Sequence, residues 1–360
     1  MIWILQRLFL VLFFILGVAY FFYKVYGSLW SFLLIPTFSF LPFILFYFYR
    51  NKRYVSLDIF LGHYLFYLNY IIFGVLTILL IALILKIFSI DIIKIISYKK
   101  MTFNIFFLFT LAVLSFWGYE NFKNVDVKNF KVPKEIAEDK NPLKFAFISD
   151  VHLNGKFDGK KLSEAFKKME NENVDLVLIG GDFLDNSYKS ITDDIKSIVD
   201  KTNFKHGIYL VLGNHEYYGG IEENIKYIKS LGINILKDES VDIEGITIVG
   251  RDDRHNKNRK SLKELLENIK SENTVIVMDH NPKSLEELGD DKVDLYLSGH
   301  THKGQIFPFN LVVDYMYLNS GGYKKIGETE TYVSSGLGTW MIPYRIGSKS
   351  EMFIFNMVKQ

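Results

Sequence analysis

The chain has 360 residues, long enough for two or three domains with at least one sizeable core. It contains no cysteine, which excludes disulfides, thiolate nucleophiles and thiolate metal sites. Charge is unevenly placed: residues 1–118 hold nine Lys or Arg and two Asp or Glu, whereas 119–360 hold 33 and 38, so two chemically different halves are joined in one chain.

The first half is dominated by four apolar segments, at about 5–26, 29–49, 60–85 and 101–119. Each approaches or exceeds the ~20 residues that a helix needs to cross a hydrocarbon core. Tyr and Trp near the segment ends suit membrane interfaces better than the inside of a soluble bundle. No small-residue cleavage site follows the first segment, so it is expected to be retained. Between the third and fourth, residues 86–100 carry polar side chains at 91, 94, 97 and 100 against an Ile-rich remainder. Either a short helix in the headgroup plane or a connecting loop fits. With four spans both termini share one side. Arg7, Arg50, Lys52, Arg53, Lys123, Lys128, Lys131 and Lys134 then face Lys24, Lys86, Lys94, Lys99 and Lys100, which favours a cytoplasmic second half. His63 and Asn69, inside the third segment, are read as interhelical hydrogen-bonding groups.

From residue 121 the pattern changes to short apolar runs, each ending in polar or glycine-rich residues. "VKNFKVP" (127–133) alternates as an edge strand does. Buried strands are expected at "FAFISD" (145–150), "VDLVLIGGD" (174–182), "GIYLVLGNH" (207–215), "ITIVGRDD" (246–253), "TVIVMDH" (274–280) and "VDLYLSGH" (293–300). Helical patterns at 159–173 and 259–273 separate some of them, so the second half reads as α/β with its site at the carboxyl ends of the strands.

Those strand ends carry the chemistry. In order they present Asp150 and His152, Asp182, Asn214 and His215, His280, and His300 with His302, which places five of the eight histidines at strand–loop junctions. The remaining His63, His206 and His255 lack such company and are read as incidental. Imidazole, carboxylate and amide donors without thiolate suit Mn, Fe, Zn, Co or Ni, and this many imidazoles argue against Mg or Ca. Adjacent glycines allow close backbone approach.

Taken together, D-x-H, G-D, G-N-H-E, H and G-H-x-H, in that order, resemble the calcineurin-like metallophosphoesterases. "SDVHL", "GNHEYY", "GHTHKGQ" and the later "YVSSGLGTW", "PYR" and "EMFIFNM" resemble its membrane-associated bacterial branch. The resemblance implies a four-layer αββα sandwich over 144–360. An all-α bundle of about four transmembrane helices at 1–118 and a linker with the edge strand at 119–143 precede it. It implies two divalent ions, Mn, Zn or Fe. One is held by Asp150, His152, Asp182 and His302, and the other by Asp182, Asn214, His280 and His300. Two such ions activate a water for in-line attack at phosphorus, so no protein nucleophile is required.

By the same resemblance His215 protonates the leaving oxygen, and Asp185, three residues after Asp182, is the carboxylate that orients it. A capping role for Asp185 fits equally. Arg251, on a polar loop after a strand, and Lys303, at a position where the branch usually has Gly, are candidates for contacting substrate phosphate, with a solvent-facing Lys303 as the other reading. Asp279 is a weaker candidate for supporting a ligand. The expected activity is hydrolysis of a phosphoester or pyrophosphate bond in a phosphorylated, lipid-linked substrate at the bilayer. A UDP-diacylglucosamine-like compound is one example. A metal-dependent nuclease is an alternative, but the second half lacks a basic stripe interleaved with aromatics and no nucleic-acid partner is expected. A non-catalytic metal-binding module is the other alternative, and it predicts lost ligands where none is lost.

Overall fold

The computed structural model describes residues 15–32, 34–37, 39, 55–134, 143–154, 158–191, 194–267, 269, 273–289 and 292–359. The chain divides into two compact units, 1–116 and 117–360.

In the first unit, Ile15–Tyr26 is a short apolar helix. Among the described residues two helices are long and apolar enough to cross a membrane, Phe60–Ile87 within the Val55–Ile87 helix and Lys100–Lys123. They coincide with the third and fourth expected spans. Residues 5–14 and 40–49 of the first two lie outside the described residues, as do Arg7, Arg50, Lys52 and Arg53. Val18, Phe21 and Val25 pack against Val75 in a small apolar cluster. The 86–100 connection contains a helix, Ile92–Tyr98, started by the Asp91 carboxylate, which accepts from Lys94 N at 3.0 Å.

The second unit is built on two six-stranded sheets. In chain order the strands are β1 (Asp126–Lys134), β2 (Lys144–Ile148), β3 (Leu176–Ile179), β4 (Ile208–Leu210), β5 (Asn234–Ile235), β6 (Glu239–Ile243), β7 (Ile246–Gly250), β8 (Thr274–Met278), β9 (Leu295–Ser298), β10 (Gly322–Ile326), β11 (Thr329–Val333) and β12 (Glu351–Lys359). The first sheet runs β1-β12-β2-β3-β4-β5 and the second β10-β11-β9-β8-β7-β6. β2, β3 and β4 are parallel neighbours, as are β7, β8 and β9. β1 is an edge strand, and that position tolerates Pro133, which has no N–H to give to a second neighbour.

Alternate residues of these strands point to opposite faces, and the burial follows that period. Phe145, Phe147, Leu176, Leu178 and Phe353 face Ile248, Ile276 and Leu297 in the core between the sheets. The opposite face of the first sheet, with Ala146, Ile148, Val177 and Ile354, packs on Leu162, Phe166 and Met169 of the Asp158–Asn171 helix and on Ile228 of Ile221–Ser230. Val249, Val277 and Tyr296 on the far side of the second sheet pack on Leu262 of Leu262–Leu266. The order is therefore helix, sheet, sheet, helix. Being buried on both faces, the central strands read as continuous apolar runs, and each can be found by eye in the sequence.

Candidate metal centre

The parallel strands β2, β3, β8 and β9 end at one side of the molecule, and the loops after them carry the polar residues. Asp150 and His152 follow β2, Asp182 follows β3, His280 follows β8, and His300 and His302 follow β9. Asn214 and His215 begin the Asn214–Tyr218 helix after β4. Five of these residues hold left-handed backbone: Asp150 (φ 52°), His152 (52°), Asp182 (49°), His300 (71°) and His302 (49°). Such conformations cost roughly 1–3 kcal/mol each and persist where the surroundings over-determine them. Gly299 and Gly213 supply the close approach: a Cβ on Gly299 would lie 2.3 Å from Asp150 Oδ2, and one on Gly213 would lie 2.2 Å from Asp182 Oδ1.

Two groups of donors converge. His302 Nε2 is 3.0 Å from His152 Nε2 and 3.4 Å from Asp150 Oδ1. His280 Nε2 is 3.1 Å from Asp182 Oδ2, 3.3 Å from His300 Nδ1 and 3.2 Å from Asn214 Oδ1. Asp182 Oδ2 also lies 3.9 Å from His152 Nε2, so its carboxylate stands between the groups. All are buried or nearly so. Buried ring nitrogens that face one another at 3.0 Å beside a carboxylate are a donor set suited to a cation. Burial, with the charge of His280, pushes the His300 imidazole down to about 4. Burial and the charges of His152 and Arg345 hold His302 well below its usual range. Both rings therefore stay neutral near pH 7, with lone pairs available. Burial alone would raise Asp182, but His280 outweighs it and keeps the carboxylate ionised. The residues present fit divalent ions.

A third group lies beside them. Asp185 Oδ1 is 3.2 Å from His152 Nδ1 and 3.3 Å from His215 Nδ1, and the Asp185 carbonyl also accepts from the His215 ring. Burial would raise the Asp185 carboxyl, yet hydrogen bonds from the two rings prevail and hold it well below the carboxylate range. Burial would lower His215, but the Asp185 hydrogen bond and the Asp182 charge raise it to about 9. With Nδ1 committed to Asp185, Nε2 is the ring nitrogen left to hold a proton toward a substrate.

The two residues expected to contact substrate both pair with acidic side chains of the chain itself. Arg251 is 1% exposed; its guanidinium donates to the buried Asp279 Oδ2 (3.2 Å), to Glu287 Oε2 (2.8 Å) and to the Lys260 carbonyl (3.2 Å), so it serves as an internal counter-charge. Lys303 turns its ammonium to Asp314 and to Ser320 Oγ (2.7 Å), tying the loop after His302 to the segment that follows. Asp279, beside His280, faces Arg251 and the Tyr296 hydroxyl (3.2 Å), as alternation along a strand requires. His255 is not isolated: its Nδ1 is 2.6 Å from Asp253 Oδ1, and its ring stands edge-on to Tyr218, which in turn lies 5.2 Å from the His215 ring.

Two supporting residues escape a reading confined to strand ends. Glu216 is fully buried and accepts from Gly213 N (2.7 Å), Asp182 N (3.1 Å) and Leu184 N (2.9 Å), so one carboxylate clamps the loops after β3 and β4. Arg345, also fully buried, donates to the carbonyls of Ser335, Gly336 and Gly338, beside Asp150. The signals were present as the Glu of "GNHE" and the Arg of "PYR", charged residues embedded in otherwise uncharged motifs.

A metal-dependent hydrolase centre at the strand ends of two stacked sheets is the class these features define. The calcineurin-like phosphoesterase family model matches residues 143–304. The chain is 34% identical over 252 residues to an uncharacterized metallophosphoesterase of Helicobacter pylori, covering 67% of each chain. It is 33% identical over 271 residues to one of Campylobacter jejuni, covering 72% of this chain and 71% of that one. A Danio rerio "transmembrane protein with metallophosphoesterase domain" is 29% identical over 263 residues, 67% of this chain and 59% of the relative. The chain belongs to the calcineurin-like phosphoesterase family and is a metal-dependent phosphoester hydrolase.

Proposed function

We propose that the protein is a membrane-anchored hydrolase of phosphoester or pyrophosphate bonds whose substrate is a lipid-linked phosphate, with 1–118 as a multi-pass anchor and 144–360 as a cytoplasmic catalytic domain. The observation that carries the catalytic reading is the convergence of Asp150, His152 and His302, and of Asp182, His280 and His300, with Asp182 between them. Asp150, His152, Asp182 and His302 would hold one divalent ion, and Asp182, Asn214, His280 and His300 the other. When bound, the ions supply an activated water and charge neutralisation at phosphorus. His215 presents a proton from Nε2 to the leaving oxygen. Asp185 accepts from Nδ1, keeps the ring in that tautomer and, through His152, couples its orientation to the adjacent donors. Support for a membrane substrate comes from the two apolar helices and from the Danio rerio relative's name.

The test uses the full chain in detergent. Chelation should abolish turnover, and Mn²⁺, Zn²⁺ or Fe²⁺ should restore it, on a panel of soluble and lipid-linked phosphomonoesters, diesters and pyrophosphates. His215→Ala and Asp182→Ala should be nearly inactive. Wild type as inactive as Asp182→Ala on every substrate with every metal would remove the catalytic reading; turnover confined to soluble substrates would remove the lipid-linked one.

A further inference from the structure

The segment directly after the His300–His302 loop forms the Phe309–Met316 helix, and it is unusual for a surface helix. None of its residues is buried. Asn310, Val313 and the following Tyr317 turn toward the protein, at a spacing of three to four. Phe309, Leu311, Val312, Tyr315 and Met316 turn outward, with Leu311 58% and Tyr315 93% exposed. The one charged residue, Asp314, is drawn to Lys303 and Ser320. Contiguous exposed apolar patches of this kind mark an interaction surface.

Its surroundings indicate the partner. Lys324 donates to the Leu318 carbonyl at 2.6 Å and sets a cation at the end of the apolar face. Trp340, 52% exposed, is bound through its backbone N to Gln305 Oε1 (2.9 Å), just ahead of the helix. An exposed apolar helix face with a Lys at its end, joined through Gln305 to a segment bearing an exposed Trp, suits the boundary between acyl chains and anionic headgroups. The helix is also tied to the candidate site: the Tyr317 ring at its end lies 6.5 Å from that of His300, and its beginning packs on Gly304.

We propose that the Phe309–Met316 helix is an interfacial anchor. It lays Phe309, Leu311, Val312, Tyr315 and Met316 into the surface of a bilayer containing anionic lipid, and it seats the mouth beside His300 against the headgroups. The inference rests on the membrane-anchored reading above and specifies how a phosphate at the bilayer surface would meet the site.

The absence of cysteine makes the test direct. Full-length protein bearing Tyr315→Cys, or Lys226→Cys on the Ile221–Ser230 helix as control, is labelled with an environment-sensitive fluorophore. Each is reconstituted into phosphatidylcholine–phosphatidylglycerol vesicles with and without doxyl-labelled lipid. Position 315 should emit to the blue of 226 and be quenched by doxyl lipid, and 226 should not. The paired Leu311→Asp and Tyr315→Asp substitution should lower turnover of a vesicle-presented phosphoester relative to a soluble one by about tenfold or more. Emission at 315 equal to that at 226 and indifferent to doxyl lipid would overturn the proposal. So would quenching only between labelled copies, which would assign the face to a second copy of the chain. Inactivity of wild type on all substrates with lipid quenching at 315 intact would count against the catalytic reading alone.

Discussion

The Asp185 carboxylate lies 3.3 Å from His215 Nδ1, joining a residue that follows β3 to one that follows β4. The same oxygen is 3.2 Å from His152 Nδ1, so one carboxylate orients two imidazoles. If His215 acts as the acid, His215→Ala should lower kcat by roughly 10²–10⁴ with bound metal unchanged. Asp185→Asn should lower kcat less and also weaken metal binding by roughly 10–100-fold through His152. Steady-state kinetics beside metal content per chain separate these effects; equal metal loss in both variants would make His215 a supporting residue.

Glu216 holds three backbone N–H groups with two oxygens. Replacing one oxygen by an amide NH₂ leaves at least one buried donor facing another donor, a loss of about 1–3 kcal/mol. Glu216→Gln should therefore lower the thermal midpoint and reduce metal affinity together, measured by calorimetry and metal titration. An unchanged midpoint would mean the loops are held by other contacts.

Arg251 offers a contrast between stability and binding. Arg251→Met removes one of the two guanidiniums that meet Asp279 and Glu287, Arg259 being the other, and should cost about 1–3 kcal/mol, with KM for phosphoesters unchanged. A raised KM in a protein of normal stability would restore the substrate-contact expectation.

The Lys303–Asp314 pair gives a pH dependence. Burial raises the Asp314 carboxyl, but hydrogen bonds from Lys303 and Ser320 and the Lys303 charge together outweigh it and set the carboxyl below 3.8. A depressed carboxyl contributes stability above its unfolded value and loses it as pH falls through the folded one. Protection factors of the amides in 309–316, that is the intrinsic exchange rate at each pH divided by the observed one, should therefore be highest near neutrality and fall as pH drops below about 3.8. Asp314→Asn and Lys303→Met should show the lower protection already at neutral pH. Identical protection in all three proteins would show that the pair does not pin the helix.

Much of the second unit was legible because its central strands are buried on both faces and end in residues a core does not want. "FAFISD", "VDLVLIGGD" and "VDLYLSGH" each announce an apolar strand and a polar end. β6 and β10 were harder to see, because their exposed residues break the pattern, and β11 because its largely buried run, Thr329–Val333, has few apolar residues. The Phe309–Met316 helix was missed for the converse reason: an apolar run that covers no core has no partner in the sequence to explain it. In 259–273 only Leu262–Leu266 is helical among the described residues, shorter than the pattern suggests.

The sequence by itself determined the donor types, their order along the chain and their position at strand ends, since these follow from local patterning and composition. Only the tertiary structure decided which donors meet. Convergence depends on parallel strands from two sheets ending side by side, and on left-handed backbone at Asp150, His152, Asp182, His300 and His302 that no residue code announces. It also decided against Arg251. A guanidinium next to a loop looks available in a sequence, but here Asp279, just past β8, is fully buried and draws Arg251 as well as Arg259 to it, because a buried carboxylate requires counter-charge.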